Sequence, residues 1–302
     1  MRIVRRWLRR FGMVCAALVG VLIGMVACNS LPQPVQSPSR DTLRVATYNV
    51  HYIWLGRAQG DWSVGDWERR KGALQAAFVS LDADVVGFQE MESFGRGQAP
   101  QNLTLDWLRE QNPGYAAAAV GDPAVFPSTQ PIFYRKDRLT LRDQGWFFFS
   151  DTPDVIYSRT FNGSWPAFTS WAEFEDRDGT IFRVYNLHTE YRSMSNKQLS
   201  VALVAARIAE PAARMPVFVI GDFNAIRGST TLGVLEDANV TFWPVQGSTF
   251  HFNRGLNLFP AIDHIGGSDG ISPVGKTFSV RGRFDGEWAT DHYPVVGDFA
   301  VQ

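Results

Sequence analysis

The run Val217-Phe218-Val219-Ile220 stops at Gly221-Asp222-Phe223-Asn224, an apolar strand pattern that ends on two short polar side chains. Other apolar stretches end in the same way. One from Leu43 ends at Asn49, a second at Glu90 and a later one at His188. Asp263 sits in PAIDHI, and Asp291-His292 precede the last apolar run. Asn, Asp and Glu oxygens suit a hard cation such as Mg²⁺ or Mn²⁺, and no cysteine accompanies them. Histidines beside carboxylates suit proton transfer. Hydrolysis of a phosphate ester needs an oriented water, neutralisation of phosphoryl charge and help for the leaving group. This inventory can supply all three. Taken singly, each residue has a plainer account: Asn49 as a strand-end turn, Glu90 as a solvated charge, Asp222 as a turn cap. The joint pattern favours chemistry, because strand ends gather side chains distant in sequence onto one rigid rim.

The elements that would position these residues can be read from periodicity. Strands are expected at 43–50, 84–90, 217–221, 261–265 and 294–300. Segments 131–135 and 139–149 read as a pair of strands around Lys136-Asp137, and 167–175 with 180–188 as a hairpin through Asp176-Arg177-Asp178-Gly179. Asp66 opens an amphipathic helix with Trp67, Leu74, Ala77, Phe78 and Leu81 inward and Glu68, Arg69, Arg70 and Lys71 toward water. A short helix is expected at 101–111. Another is expected at 195–210, with Leu199, Ala202, Leu203, Ala206 and Ile208 as its apolar side. Strands greatly outnumber helices, and two helix-covered sheets packed face to face would account for that. The 302 residues, 45% hydrophobic and 20% charged, suffice for one large core.

The N-terminus is different in kind. MRIVRRWLRR carries Arg2, Arg5, Arg6, Arg9 and Arg10 with no acid, and an apolar run follows up to Cys28. A basic region before an apolar one reads as a secretory signal. Met25-Val26-Ala27-Cys28 resembles the lipobox of bacterial lipoproteins, in which the cysteine becomes the lipidated first residue. The alternative is an uncleaved signal anchor in the inner membrane. Cys15 and Cys28 are the two cysteines, so a domain after them holds no disulfide. The Pro-, Ser- and Gln-rich NSLPQPVQSPSR reads as an extended tether. The expected organisation is a signal peptide at 1–27, a tether at 28–41 and one domain at 42–302. Without residues 1–27 the 29 basic residues fall to 24 against 30 acids, a net charge of −6. That disfavours loose nucleic-acid binding, which rests on phosphate neutralisation.

TYNVHY, VVGFQEM, YNLHTEY, VIGDFNA, AIDHI and TDHYPV together resemble the ordered motif series of the endonuclease/exonuclease/phosphatase superfamily, the DNase I-like fold. The resemblance runs from about Leu43 to Phe299. It implies an α/β fold: a four-layer sandwich of two packed, mainly antiparallel sheets flanked by helices. It also implies Glu90 as the main metal ligand with Asn49 beside it and Asp291 in support. Asp222 would position or deprotonate the attacking water, and Asn224 would donate to phosphoryl oxygens. His292 would act as general base or phosphate contact, oriented by Asp263, and the roles of Asp222 and His292 are interchangeable at this stage. His188 would contact the phosphate or protonate the leaving group. One position departs from the pattern. Ala167 stands where many relatives carry Arg or Lys before the strand tryptophan, leaving Arg159 or Arg135 to compensate.

Asp263 and His264 are neighbours on a strand, so only one faces the site; the motif register favours Asp263. His251 in GSTFHF resembles a substrate-side motif of part of the family, and His51 reads as structural support. WFFFS at 146–150 reads as strand core; FNRGLNLF at 252–259 is the better candidate for a groove wall or membrane-facing rim, with plain packing the favoured account even there. The resulting expectation is an exported bacterial protein of the cell envelope, lipid-anchored through Cys28 and monomeric, with no obligate protein partner. It would hydrolyse a phosphate ester with Mg²⁺ or Mn²⁺, a phosphodiester before a monoester. Nucleic acid, a phospholipid headgroup and a small phosphate all stay open as substrates. A catalytically inactive surface binding module on the same fold is the alternative, disfavoured because no metal or proton-transfer position is lost.

Overall fold

The structure, a computed structural model, describes residues 2–30, 37, 41–95, 101–159, 161–162, 165–210 and 215–302. Most of the expected tether lies outside these residues. The elements begin with α1 (Arg2–Asn29), β1 (Leu43–Asn49), β2 (Ile53–Trp54), α2 (Val64–Leu81), β3 (Val85–Gln89) and β4 (Ser93–Phe94). They continue with α3 (Leu103–Gln111), β5 (Tyr115–Ala118), β6 (Ile132–Arg135), β7 (Leu139–Phe148), β8 (Phe168–Asp176) and β9 (Ile181–His188). Then come α4 (Met194–Ile208), β10 (Val217–Asp222), α5 (Thr230–Glu236), β11 (Thr241–Phe242) and β12 (Val245–Gln246). The last are β13 (Asp263–Gly267), β14 (Ile271–Pro273), β15 (Thr277–Ser279) and β16 (Val295–Val301).

One sheet has the order β12-β15-β16-β1-β3-β6-β5, with β14 on β16; the other runs β11-β13-β10-β9-β8-β7. Side chains alternate along the central strands between two interiors. In β1, Val45 enters the core between the sheets, while Ala46 and Tyr48 enter the core under α2 and α3. In β10, Phe218 and Ile220 face the intersheet core, while Val217 and Val219 face α4 and α5. The layers therefore run helix, sheet, sheet, helix. Burial on both faces explains why these strands read as continuous apolar runs rather than alternating ones. Among the described residues, none before Leu43 belongs to any of the three cores.

Two glycines let the central strands approach closely. A Cβ on Gly87 would lie 2.6 Å from the Ile220 Cδ1 atom of the opposite sheet. Gly221, at φ 149°, would place one 1.9 Å from the Leu187 carbonyl oxygen. The glycine of the Gly-Asp-Phe-Asn stretch is thus fixed by backbone packing.

Three expectations need correction. β6 and β7 do not pair: β6 lies between β3 and β5, and β7 pairs with β8 in the other sheet. The turn at 136–138 carries the chain between sheets, which local alternation cannot distinguish from a hairpin. The first long helix of the domain is capped by Ser63, whose hydroxyl accepts from the Asp66 amide, and Arg70 is buried rather than solvated. On α4 the buried side is Asn196, Lys197, Ser200, Val201 and Val204, and Leu199 is exposed. Of these, Lys197 reaches the Asn224 carbonyl at 2.8 Å, and Ser200 donates to Asn196 Oδ1 within the helix at 3.2 Å.

Candidate active site

Strand register brings the chemistry-bearing residues to one rim. Asn49 lies opposite Gln89 on parallel β1 and β3, so Glu90 emerges beside it. Asp222 lies opposite His188 on β9 and Asp263 on β13. Val295 of β16 pairs with Thr47, which delivers Asp291 and His292 to the same edge. Below the rim, Gln89 Nε2 donates to Asn186 Oδ1 at 2.6 Å, and Asn186 Nδ2 donates to the Phe88 carbonyl at 2.8 Å. This buried staple locks the two sheets together beneath the site.

On the β9–β10–β13 side, the Asp222 carboxylate is 1% exposed and accepts from the Asn224 amide at 2.8 Å. His292 Nδ1 lies 2.9 Å from Asp263 Oδ2, so the carboxylate fixes a protonated Nδ1 and aims Nε2 toward Asp222 Oδ2, 3.7 Å away. Burial opposes the charged form of His292, but the carboxylates of Asp263, Asp222 and Asp291 outweigh it and hold the imidazole well above its usual pKa. His188 Nε2 lies 3.2 Å from Asn224 Nδ2, 3.6 Å from Asp222 Oδ2 and 3.9 Å from Glu90 Oε1. Asn224 Nδ2 also donates to the Thr189 carbonyl at 3.0 Å.

On the β1–β3–β16 side, Asn49 Nδ2 donates to Glu90 Oε1 and to Asp222 Oδ2, each at 3.1 Å. Its Oδ1 accepts from the His51 amide at 3.1 Å, which orients the side chain. The amide nitrogen therefore bridges the two carboxylates, and the oxygen expected on a metal is engaged by the chain. Glu90 Oε2 and Asp291 Oδ2 lie 3.8 and 3.9 Å from the two ring nitrogens of His51, beyond hydrogen-bond reach. His51, Glu90 and Asn224 all have left-handed backbone, at φ 63°, 54° and 46°. Such conformations cost about 1–3 kcal/mol each and concentrate at functional sites.

Among the described residues, Glu90, Asp222, Asp263 and Asp291 pair with histidines and with no Lys or Arg. A cluster of hard anionic oxygens without a basic partner is the donor set that a divalent cation fits. Glu90 Oε1 accepts from Asn49 and Asp291 Oδ1 from Thr290 Oγ1 at 3.2 Å, which leaves Glu90 Oε2 and Asp291 Oδ2 facing the space beside His51; Asp263 Oδ1 is buried without a hydrogen-bond partner among the described residues. The donor atoms of Asp222, Asp263 and His292, which lie within 4.8 Å of one another, form a second grouping able to take an ion. In that grouping, however, an Asp263 oxygen is already committed to His292.

Several residues with roles here were not singled out from sequence. Arg70 donates to the carbonyls of Val50, His51 and Ala289, each at 3.0 Å, and its Nε reaches Asp66 Oδ2 at 3.2 Å. It thereby clamps the segments carrying His51 and Asp291. The sole sequence signal was an Asp66–Arg70 spacing of four on a helix. Lys197 Nζ donates to the Asn224 carbonyl at 2.8 Å, placing a cation beside the site. Glu92 is pushed up to about 7 by burial and by the Glu90 carboxylate.

His251 does not face the slot. Its ring is 1% exposed and packs on Tyr293 and Trp288 at centroid distances of 4.1 and 4.6 Å. His264 also points away, bonding the Ala225 carbonyl at 2.8 Å between Phe223 and Phe242. Arg135 sits at the far strand end with Asp82, so it cannot replace a cation at Ala167, and Arg159 is exposed between β7 and β8. Beside His51 and Asp291 opens a slot of about 370 Å³ walled by Trp62, Phe250, Phe252 and Leu256, a size and polarity that suit a small organic group.

A four-layer α/β sandwich with carboxylates and histidines gathered at its strand ends is the architecture of the DNase I-like phosphoesterases. The chain matches the model of the Endonuclease/Exonuclease/phosphatase family over residues 46–292 and belongs to that family. Members are phosphoesterase hydrolases that generally use a divalent metal. Among solved structures, an endonuclease/exonuclease/phosphatase family protein from Bacteroides thetaiotaomicron is similar at 24% identity and TM-score 0.72, over 88% of this chain and all of that one. A mannosyl-6-phosphatase of the same species is 23% identical, TM-score 0.70, covering 85% and 99% of the two chains. D. rerio TDP2 with a single-strand DNA product is 14% identical, TM-score 0.63, covering 86% and 99%. At these identities the likeness is one of fold. Comparison with curated proteins gives no significant match.

Proposed function

We propose that this chain is an exported, envelope-tethered phosphoesterase that depends on Mg²⁺ or Mn²⁺ and prefers a phosphodiester. The observation that carries this reading is the convergence of Glu90, Asp222, Asp263 and Asp291 with His188 and His292 on one rim, with no Lys or Arg among the described residues pairing the carboxylates. A cation held by Glu90 and Asp291 would neutralise charge on the phosphoryl group. Asn49 keeps Glu90 and Asp222 at a fixed separation. Asp222, held by the Asn224 amide and Asn49, orients the attacking water and accepts its proton. His292, kept as an imidazolium by its carboxylates, suits contact with a phosphoryl oxygen. Asn224 Nδ2 and His188 Nε2 face the same space and support the phosphate and the leaving oxygen.

The test is a panel of phosphodiesters and phosphomonoesters, assayed with the full chain in detergent, with EDTA and with added Mg²⁺ or Mn²⁺. Turnover of at least one ester, lost on chelation and restored by the cation, is expected. Hydrolysis that survives exhaustive chelation contradicts the mechanism, and no hydrolysis of any ester favours a binding module. The domain organisation at 1–27, 28–41 and 42–302 belongs to this proposal, supported by α1 and by Cys28 exposed near its end. Cys28→Ser should abolish incorporation of labelled fatty acid. A membrane-bound chain beginning at Met1 would show a signal anchor instead.

A further inference from the structure

We propose that the loop 250–259 is a membrane-contact surface, and that its apolar rim rests on the bilayer from which the N-terminus emerges. The slot would then open onto lipid headgroups. This last consequence rests on the phosphoesterase reading above; the contact surface does not.

The N-terminal segment ends on this loop. The Val4–Asn29 part of α1 is long and apolar enough to cross a membrane, with an 18-residue window of mean hydropathy 2.5, none of it buried. Among the described residues, its last ones meet the domain around Ser248, Asn257 and Arg281. Ser248 N donates to the Asn29 carbonyl at 3.2 Å, Asn29 Nδ2 reaches the Asn257 carbonyl at 3.4 Å, and Asn257 Nδ2 donates to Ser30 Oγ at 2.7 Å. Arg281 Nη1 donates to the same Asn29 carbonyl. Cys28 is the residue before these contacts. A lipid on Cys28 and a retained helix both put the membrane surface beside residues 248–257.

The loop presents apolar side chains there. Phe252, Leu256 and Phe259 are 37%, 44% and 49% exposed. Phe252 and Asn253 have φ of 58° and 54°, a left-handed backbone that a bulky aromatic rarely adopts. The loop is held in that form from below. The buried His251 accepts at its carbonyl from Arg254 and Leu256 amides at 3.0 and 3.2 Å, and at Nδ1 from the Gly255 amide at 3.3 Å. An ordered base that turns aromatics outward beside an apolar anchor fits an interfacial membrane contact. The rim also continues into the site. Phe252 packs on Phe250 at 4.4 Å between centroids, and Phe250 packs on His292 at 5.0 Å.

The experiment uses the full chain in a Cys15→Ala background, reconstituted in vesicles of phosphatidylethanolamine and phosphatidylglycerol. Leu256→Cys carries an environment-sensitive fluorophore, and the parent without the added cysteine serves as blank. Asp178→Cys, on the β8–β9 turn at the opposite strand end from His188, is the remote control. Phe259→Cys replaces Leu256→Cys if the latter melts early. Nitroxide-bearing lipids should remove most of the fluorescence at position 256 and leave position 178 unchanged. No quenching at 256 and 259, or equal quenching at 178, overturns the proposal and leaves the rim to a protein partner. Because the readout is independent of turnover, a chain that hydrolyses no phosphate ester yet quenches at 256 would refute the enzyme reading and keep the contact surface.

Discussion

On the β9–β10–β13 side of the site, short hydrogen bonds to the chain fix Asp222, Asp263 and His292, at 2.8 and 2.9 Å. On the β1–β3–β16 side, Glu90 and Asp291 face His51 across 3.8 and 3.9 Å. In the first half both Asp222 oxygens and one Asp263 oxygen accept from the protein, and the remaining Asp263 oxygen is buried; in the second half Glu90 Oε2 and Asp291 Oδ2 stay available beside His51. The difference separates two tasks. Proton transfer needs an acceptor and an imidazole held in fixed geometry before substrate arrives. A cation site needs oxygens that protein donors have not already claimed. Asn49 joins the halves through one amide, donating to a carboxylate in each.

The largest expected effect comes from the proton-handling half. Asp222→Asn keeps shape and the Asn224 amide bond but removes charge, a basic oxygen and the acceptor of the Asn49 amide, so turnover should fall on the order of 10²–10⁴-fold. Stability, read beside steady-state kinetics, should fall by about 1–3 kcal/mol for the lost Asn49 bond, with the variant still folded. A folded variant with wild-type turnover would reduce Gly-Asp-Phe-Asn to architecture.

Next is the clamp beneath the cation half. Arg70→Leu removes three hydrogen bonds to site-bearing carbonyls and one of the two arginines paired with the buried Asp66 carboxylate, which keeps Arg69 at 2.6 Å. A loss of about 2–4 kcal/mol is expected from chemical denaturation, the scale for leaving buried carbonyls without their donor. A loss below about 1 kcal/mol, the scale of an exposed ion pair, would show that Arg70 holds nothing there.

Arg70 also shows where sequence reading stops. It stands in Glu68-Arg69-Arg70-Lys71, a run that reads as a solvated helix face, and only the tertiary fold brings carbonyls from 50, 51 and 289 to it. Lys197 and the inward polar face of α4 were hidden for the same reason. β1 and β10 were legible because strands buried on both faces are apolar throughout, and the six motifs made the rim legible as a set. The β6–β7 connection was misread because alternation carries no information about which sheet a strand joins. His251 was misread because a loop histidine near a site looks the same in sequence whether its ring faces the slot or props the loop from below.

A smaller effect distinguishes the histidines that act from those that pack. Burial holds His264 down to about 4, so the folded state resists its protonation. Between the unfolded value near 6.5 and about 4, the unfolded chain binds the extra proton, so stability is present above pH ~6.5 and lost as pH falls through that window. His264→Gln should flatten the stability profile there by about 2–4 kcal/mol in total. Identical wild-type and variant slopes between these pH values would place the titration elsewhere.

The separation of tasks between the two halves is tested most directly by Mn²⁺ affinity, read by titration calorimetry on the full chain and on Glu90→Gln and Asp263→Asn. If Glu90 and Asp291 hold the cation, Glu90→Gln should weaken binding by at least about 10–100-fold, a loss no smaller than that for an outer-shell partner. Asp263→Asn should leave Mn²⁺ affinity within a few-fold while lowering turnover. Affinity kept in Glu90→Gln and lost in Asp263→Asn would put the ion among Asp222, Asp263 and His292, and would contradict the account.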